Sequence, residues 1–148
     1  MRGQMAVFLL RSKDGGDHQP PPCTVPTFGD VPCSHMFAAW IEELFSREVT
    51  TGCSANPPLY CPESAVTRGQ MAVFLLRMLM GSSYTPPACQ GLFADLPCTD
   101  AFATWAEDLF ERGVTSGCSA NPLRYCPDNA VTRAQMAVFL VRTFGLPL

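Results

Sequence analysis

An all-α fold of tandem helix-loop-helix repeats, its loops stapled by disulfides, is what this 148-residue sequence predicts. Three observations point there. A ten-residue stretch occurs three times, the apolar residues in and before it recur at helical spacing, and eight cysteines fall four to a repeat.

The stretch Arg68-Gly69-Gln70-Met71-Ala72-Val73-Phe74-Leu75-Leu76-Arg77 is found verbatim from Arg2 to Arg11 and, with two changes, from Arg133 to Arg142. Thr67 and Thr132 precede the two complete copies, and Thr-x-x-Gln ahead of an apolar run is a capping box. Met71, Phe74, Leu75 and Met78 then fall on one helical stripe, widened by Ala72, Leu76 and Leu79, so this helix belongs at the centre of the fold. Upstream, Pro32 and Pro97 block an early helix start, with Ser34 or Thr99 as the expected N-cap. Phe37, Trp40, Ile41, Leu44 and Phe45 form the stripe of a surface helix that stops near Glu48, and Phe102, Trp105, Leu109 and Phe110 repeat it with a stop near Gly113. The stretch Ser54 to Pro62 reads as a loop.

Phe28 to Arg77 aligns with Phe93 to Arg142 without a gap, 33 of 50 pairs being identical, which makes the second half a copy of the first. The expected domains are 1–22, the last helix of a partial repeat (1–11) plus a Gly/Pro-rich linker; 23–83, one repeat; and 84–148, a second. Met1 stands where Thr67 stands, so the chain reads as the C-terminal piece of a longer exported protein, with no signal peptide in this fragment.

A net charge of −3 without a Lys/Arg cluster argues against nucleic acid as a partner. No apolar run reaches the roughly 18 residues of a membrane span. Eight cysteines in a short chain indicate an oxidising, extracellular compartment. Structural zinc sites favour close cysteine pairs, which are missing from the set Cys23, Cys33, Cys53, Cys61, Cys89, Cys98, Cys118 and Cys126, so neither metal nor cofactor is expected. Four cysteines per repeat allow three connectivities; proximity favours Cys23 with Cys33 and Cys53 with Cys61. No nucleophile, histidine and acid recur at matched positions, and no enzyme is expected.

Phe-x-Asp, a Trp/Leu helix, a Gly turn, an aromatic-x-Pro loop and Thr-Arg-x-Gln-Met-Ala together resemble the S-layer homology module with its Thr-Arg-Ala-Glu signature. The likeness covers Phe28 to Phe144, with Met1 to Arg11 as the end of a third module. It implies a pseudo-threefold bundle and a non-catalytic anchor that holds exported proteins at the cell surface on an anionic, in known cases pyruvylated, cell-wall polysaccharide. It also implies that Arg68, Arg133 and Arg2 line grooves between repeats. Gln70 and Gln135 depart from the usual Glu, and the cysteines are additions.

The capping box accounts for Thr67 and Gln70 without function, which leaves the arginine. A cation in a first helical turn is opposed by the helix dipole at about 0.3–1 kcal/mol. Its compensation is either an internal carboxylate (Asp30, Asp95, Glu63 or Asp128) or a bound anionic sugar. Trp40 and Trp105 are candidates for sugar stacking or for core. Asp30 and Asp95 join the candidate ligand set, with backbone hydrogen bonding in turns as the alternative; Tyr60 and Tyr125 are expected to seal the loops. The rival to anchoring is a structural module of a surface layer or filament, a homo-oligomer that covers its open first repeat.

Overall fold

The computed structural model describes residues 1–147. It holds five helices and two short antiparallel hairpins: α1 (Arg2–Asp14), α2 (Ala38–Ser46), β1 (Ser54–Ala55), β2 (Pro58–Leu59), α3 (Arg68–Met80), α4 (Ala103–Glu111), β3 (Ser119–Ala120), β4 (Leu123–Arg124) and α5 (Arg133–Phe144). The expectation of an all-α, pseudo-threefold bundle is therefore corrected to a mixed α/β fold, about 38% helix and 7% strand, with four disulfides. What overturns it is the stretch read as a plain loop. Ser54 pairs with Leu59 and Ala55 with Pro58, and Ser119 with Arg124 and Ala120 with Leu123 in the second copy. Cys53 N–H donates to Leu59 O at 2.7 Å, and the Cys53–Cys61 bridge closes the same arms. Two-residue strands are too short to leave a period-2 pattern in sequence.

The chain divides into two compact units, Met1–Ala65 and Val66–Leu148. The first contains α1, α2 and the β1–β2 hairpin; the second contains α3, α4, the β3–β4 hairpin and α5. Sequence repeat and packed unit are thus out of phase by one helix: α1 packs with α2, and α3 with α4 and α5.

The capping boxes form as the sequence specifies, Thr67 Oγ1 accepting from Gln70 N–H at 3.2 Å and Gln70 Oε1 from Thr67 N–H at 3.1 Å, with the same pair at Thr132 and Gln135. Helix α1 runs to Asp14, three residues beyond the expected stop, and ends where Gly15 takes a positive φ of 109°. The surface helices start later than expected. Ser34 and Thr99 do not cap them; instead His35 Nδ1 accepts from Phe37 N–H at 3.1 Å and Asp100 Oδ1 from Phe102 N–H at 2.8 Å.

Met5, Leu9, Leu10, Ile41, Leu44 and Tyr60 are fully buried in the first unit, and Met71, Leu75, Leu76, Leu109 and Tyr125 in the second. Each such side chain contributes roughly 1.5–3 kcal/mol of transfer free energy. Phe28 meets Tyr60 and Phe45, and Phe93 meets Tyr125 and Phe110, at centroid distances of 5.3–5.6 Å. All eight cysteines are bridged, Cys23–Cys33, Cys53–Cys61, Cys89–Cys98 and Cys118–Cys126. Closed loops of this size stabilise a fold by roughly 2–3 kcal/mol each in the loop-entropy account, and the bridges indicate a secreted, extracellular setting.

The glycine after the signature arginine has a packing reason. A Cβ on Gly3 would lie 2.5 Å from the Phe37 ring, and one on Gly69 2.5 Å from Phe102. The third copy has Ala134, which is exposed. Gly69→Ala should therefore lower the unfolding free energy by about 1–3 kcal/mol through overpacking, although alanine is the better helix former. Ala134→Gly should lower it by only about 0.5–1 kcal/mol. Urea denaturation of the two variants measures both.

Candidate functional site

The signature arginines Arg2 and Arg68 are 3% and 4% exposed, and the charge of Asp30, one of the sequence-predicted carboxylates, acts on Arg2. Arg68 Nε donates to the backbone O of Tyr125 at 2.7 Å, and the Tyr125 hydroxyl donates back to Arg68 O at 2.8 Å. Arg2 and Tyr60 make the same reciprocal pair at 2.8 and 3.0 Å. In both, the guanidinium carbon lies 4.8 Å from the tyrosine ring centroid, and Arg68 is also 5.4 Å from the Phe139 centroid. A carbonyl and an aromatic face thus contribute to holding both arginines, and for Arg2 the charge of Asp30 adds to them. The first-turn amides are met too: Arg68 and Gly69 N–H donate to Asn129 O and Pro127 O, and Arg2 and Gly3 N–H to Ser64 O and Pro62 O, all at 2.9 Å.

Asp30 and Asp95 hold the tyrosine arm rather than lining the cleft described below. Asp30 accepts from Tyr60 and Cys61 N–H at 2.9 and 2.7 Å, and Asp95 from Tyr125 and Cys126 N–H at 2.8 Å each. Burial lowers the Arg2 pKa, opposed by the charges of Tyr60 and Asp30, and pushes the Tyr60 hydroxyl up to about 12 and that of Tyr125 higher still.

Beside Arg68, within the second unit, lies a cleft of about 260 Å³. Thr115, Ser116 and Gly117 form one wall, and Gln135, Val138, Phe139 and Arg142 of α5 the other. Arg68 Nη2 approaches Thr115 Oγ1 at 3.4 Å, and Arg142 Nη1 approaches Val114 O at 3.4 Å. No Asp or Glu is among the lining residues. Arg142 closes the ten-residue repeat, so its recurrence was visible, but nothing in the sequence distinguishes it from Arg11 and Arg77. Those two lie over Trp40 and Trp105, at 5.0 and 5.6 Å from the ring centroids.

Trp40 and Trp105 are half-buried and outside the cleft, each with an arginine over its face and a second ring at its edge: His18 at 6.1 Å, Tyr84 at 6.4 Å. His18, which has no histidine counterpart, is matched in space by Tyr84. His18 Nε2 lies 2.8 Å from Glu43 Oε2, and the Tyr84 hydroxyl donates to Asp108 Oδ2 at 2.6 Å; Glu43 and Asp108 pair with Arg47 and Arg112 one helical turn on. Counting five residues back from Cys23 and Cys89 finds the match. Arg133, the third signature arginine, is exposed at the start of α5 and does not line the cleft.

Two further clefts, about 360 and 270 Å³, occupy equivalent places beside Glu42 and Glu43 and beside Glu107 and Asp108. Glu42 accepts from Thr27 N–H and Oγ1–H, and Glu107 from Gln90 and Leu92 N–H, so both fasten the cysteine loop. Among the described residues, three clusters bring metal-ligating residue types together. In two, the cysteines are oxidised to disulfides; in the third, Asp14, His18 and Glu43, both carboxylates are bridged by Arg47.

No protein-family model matches the chain. It is 30% identical over 121 residues to an endoglucanase of Bacillus sp. (strain KSM-635), a match that spans 79% of this chain and 12% of that enzyme. The similar protein is thus an enzyme, which does not favour the expectation of a non-catalytic chain, and the match covers a small part of it. No helix among the described residues is long and apolar enough to cross a membrane.

The buried tyrosines set an alkaline limit. Unfolded tyrosine ionises near pH 10, whereas Tyr60 in the fold keeps its proton to about 12. The unfolded state therefore loses protons first as pH rises, and stability present below pH 10 is lost between about 10 and 12. Tyr60→Phe with Tyr125→Phe should flatten that loss and cost about 0.5–1.5 kcal/mol per hydroxyl at pH 7. Denaturant titrations across pH 7–12 test both outcomes.

Proposed function

We propose that this chain is a non-catalytic module of S-layer homology type in sequence, which holds an exported protein at the cell surface by binding an anionic wall polysaccharide in the cleft beside Arg68. The observation that carries the reading is the make-up of that cleft. Two guanidinium groups, the Gln135 amide and the Thr115 and Ser116 hydroxyls surround an apolar patch of Val138 and Phe139. Guanidinium suits carboxylate, amide and hydroxyl suit sugar oxygens, and the patch suits the apolar face of a saturated ring.

The acid–base requirement of glycoside cleavage supports a binding role. Such chemistry ordinarily needs two carboxylates flanking the bond. The cleft lining has none; of the carboxylates in the other clefts, Glu42, Glu43, Glu107 and Asp108 are each committed to backbone amides, arginine, tyrosine or histidine, while Glu111 is exposed. The similarity to 12% of an endoglucanase fits a minor, appended portion of a carbohydrate-active protein.

A second reading, assembly with other copies or partners in a surface layer, is favoured by α5. Arg2, Gly3 and Ala6 of α1, and Arg68, Gly69 and Ala72 of α3, are buried, whereas Arg133, Ala134 and Ala137 of α5 are exposed. A face that is covered twice and bare once is a surface available to a neighbour. Light scattering at rising concentration distinguishes the readings: a monomer throughout speaks against self-assembly.

Retention on purified wall polysaccharide should be strong at low salt, weaken as ionic strength rises, and disappear when the polymer's carboxylates are reduced to alcohols. Undiminished retention on the neutralised polymer would sink the anionic-ligand reading.

A further inference from the structure

Within the cleft, and resting on the polysaccharide reading above, we propose that Arg142 is the guanidinium that contacts the ligand's carboxylate, and that the signature Arg68 is a positioning residue. The two arginines stand in opposite circumstances. Arg68 is 4% exposed, has given its Nε–H to Tyr125 O, and carries aromatic rings of Tyr125 and Phe139 within 5.4 Å of its guanidinium carbon. Its Nη2 lies 3.4 Å from Oγ1 of Thr115, another residue of the cleft lining. A carboxylate taken in fork-to-fork geometry needs two parallel N–H groups from one guanidinium, and Arg68 has already committed one side.

Arg142 is exposed on the α5 wall, its Nη1 3.4 Å from Val114 O, and no carboxylate lines the same cleft to neutralise it. The repeat sharpens the contrast. Arg11 and Arg77, at the same repeat position, are placed over tryptophan rings, while Arg142 lines the cleft. With one guanidinium fork open, a volume of about 260 Å³ and Val138 and Phe139 alongside, the cleft fits a monoanionic carboxylated sugar with an apolar edge. A dianionic phosphate would call for more donors than these.

The probe is methyl 4,6-O-(1-carboxyethylidene)-mannoside, with methyl mannoside and mannose 6-phosphate as comparison ligands, titrated into the full chain by calorimetry or NMR. The ketal should bind and the uncharged mannoside should not, with the phosphate weaker than the ketal. Arg142→Gln should weaken ketal binding about tenfold or more at an unchanged unfolding midpoint, the worth of a charge-assisted hydrogen bond, and Arg142→Lys should recover part of the loss. Arg68→Lys should lower the unfolding midpoint and, at temperatures where it is folded, bind within about threefold of the parent. If the parent chain binds the ketal and Arg142→Gln binds it equally well, this assignment is overturned while the cleft's reading stands. If the parent binds none of the probes, both fall; if the phosphate binds more tightly than the ketal, the carboxylate assignment falls.

Discussion

The structure depends on one reciprocal contact: the arginine at the first turn of α1 and of α3 gives its Nε–H to a tyrosine carbonyl, and that tyrosine gives its hydroxyl back to the arginine's own carbonyl. The sequence separation, 58 residues for one pair and 57 for the other, means that each contact closes a long stretch of chain. Placing a cation in a first helical turn runs against the helix dipole, and burying it costs desolvation. The aromatic face and the carbonyl offset both, and the glycine next in sequence lets the opposing phenylalanine come close enough to exclude water.

The other features serve this contact. Asp30 and Asp95 bind the two amides at the tyrosine and its following cysteine, which fixes the carbonyl that the arginine uses. The Cys53–Cys61 and Cys118–Cys126 bridges close the hairpin from which the tyrosine projects. In the surface helix, Glu42 and Glu107 tie back the preceding cysteine loop through backbone amides. A buried charge is tolerated here because its surroundings are fixed on several sides, which is the condition under which buried polar groups give one arrangement rather than many.

Much of this was legible. The capping boxes at Thr67 and Thr132, the helical stripes, the stops near Glu48 and Gly113 and the local disulfides follow from short-range chemistry that the residues state directly. The hairpins were not, because two-residue strands have no periodicity, and they carry the change from all-α to mixed α/β. The surface-helix caps were misplaced: the N-cap positions are Phe37 and Phe102, without a side-chain cap, and His35 and Asp100 accept from their amides. Asp30 was among the acids named for the arginine and its charge does act on Arg2; the carbonyl and the ring that also hold the arginines leave no mark in sequence. Arg142 escaped notice for the opposite reason, being one of three identical repeat positions whose environments differ only in three dimensions. The Gly-to-Ala change at position 134 was visible, and only the ring packed on Gly3 and Gly69 gives it meaning.

Function, on this account, begins where the joint ends: Arg68 of the second unit's contact borders the cleft, and the charge open to a guest is supplied from α5. Replacing the same signature residue in its two settings is the most direct test of the joint. Arg68→Lys keeps the charge and removes the planar fork, so the account predicts a loss of about 2 kcal/mol or more in unfolding free energy, while Arg133→Lys, exposed at the start of α5, should change it by less than about 0.5 kcal/mol. Equal and small effects from the two substitutions would contradict it.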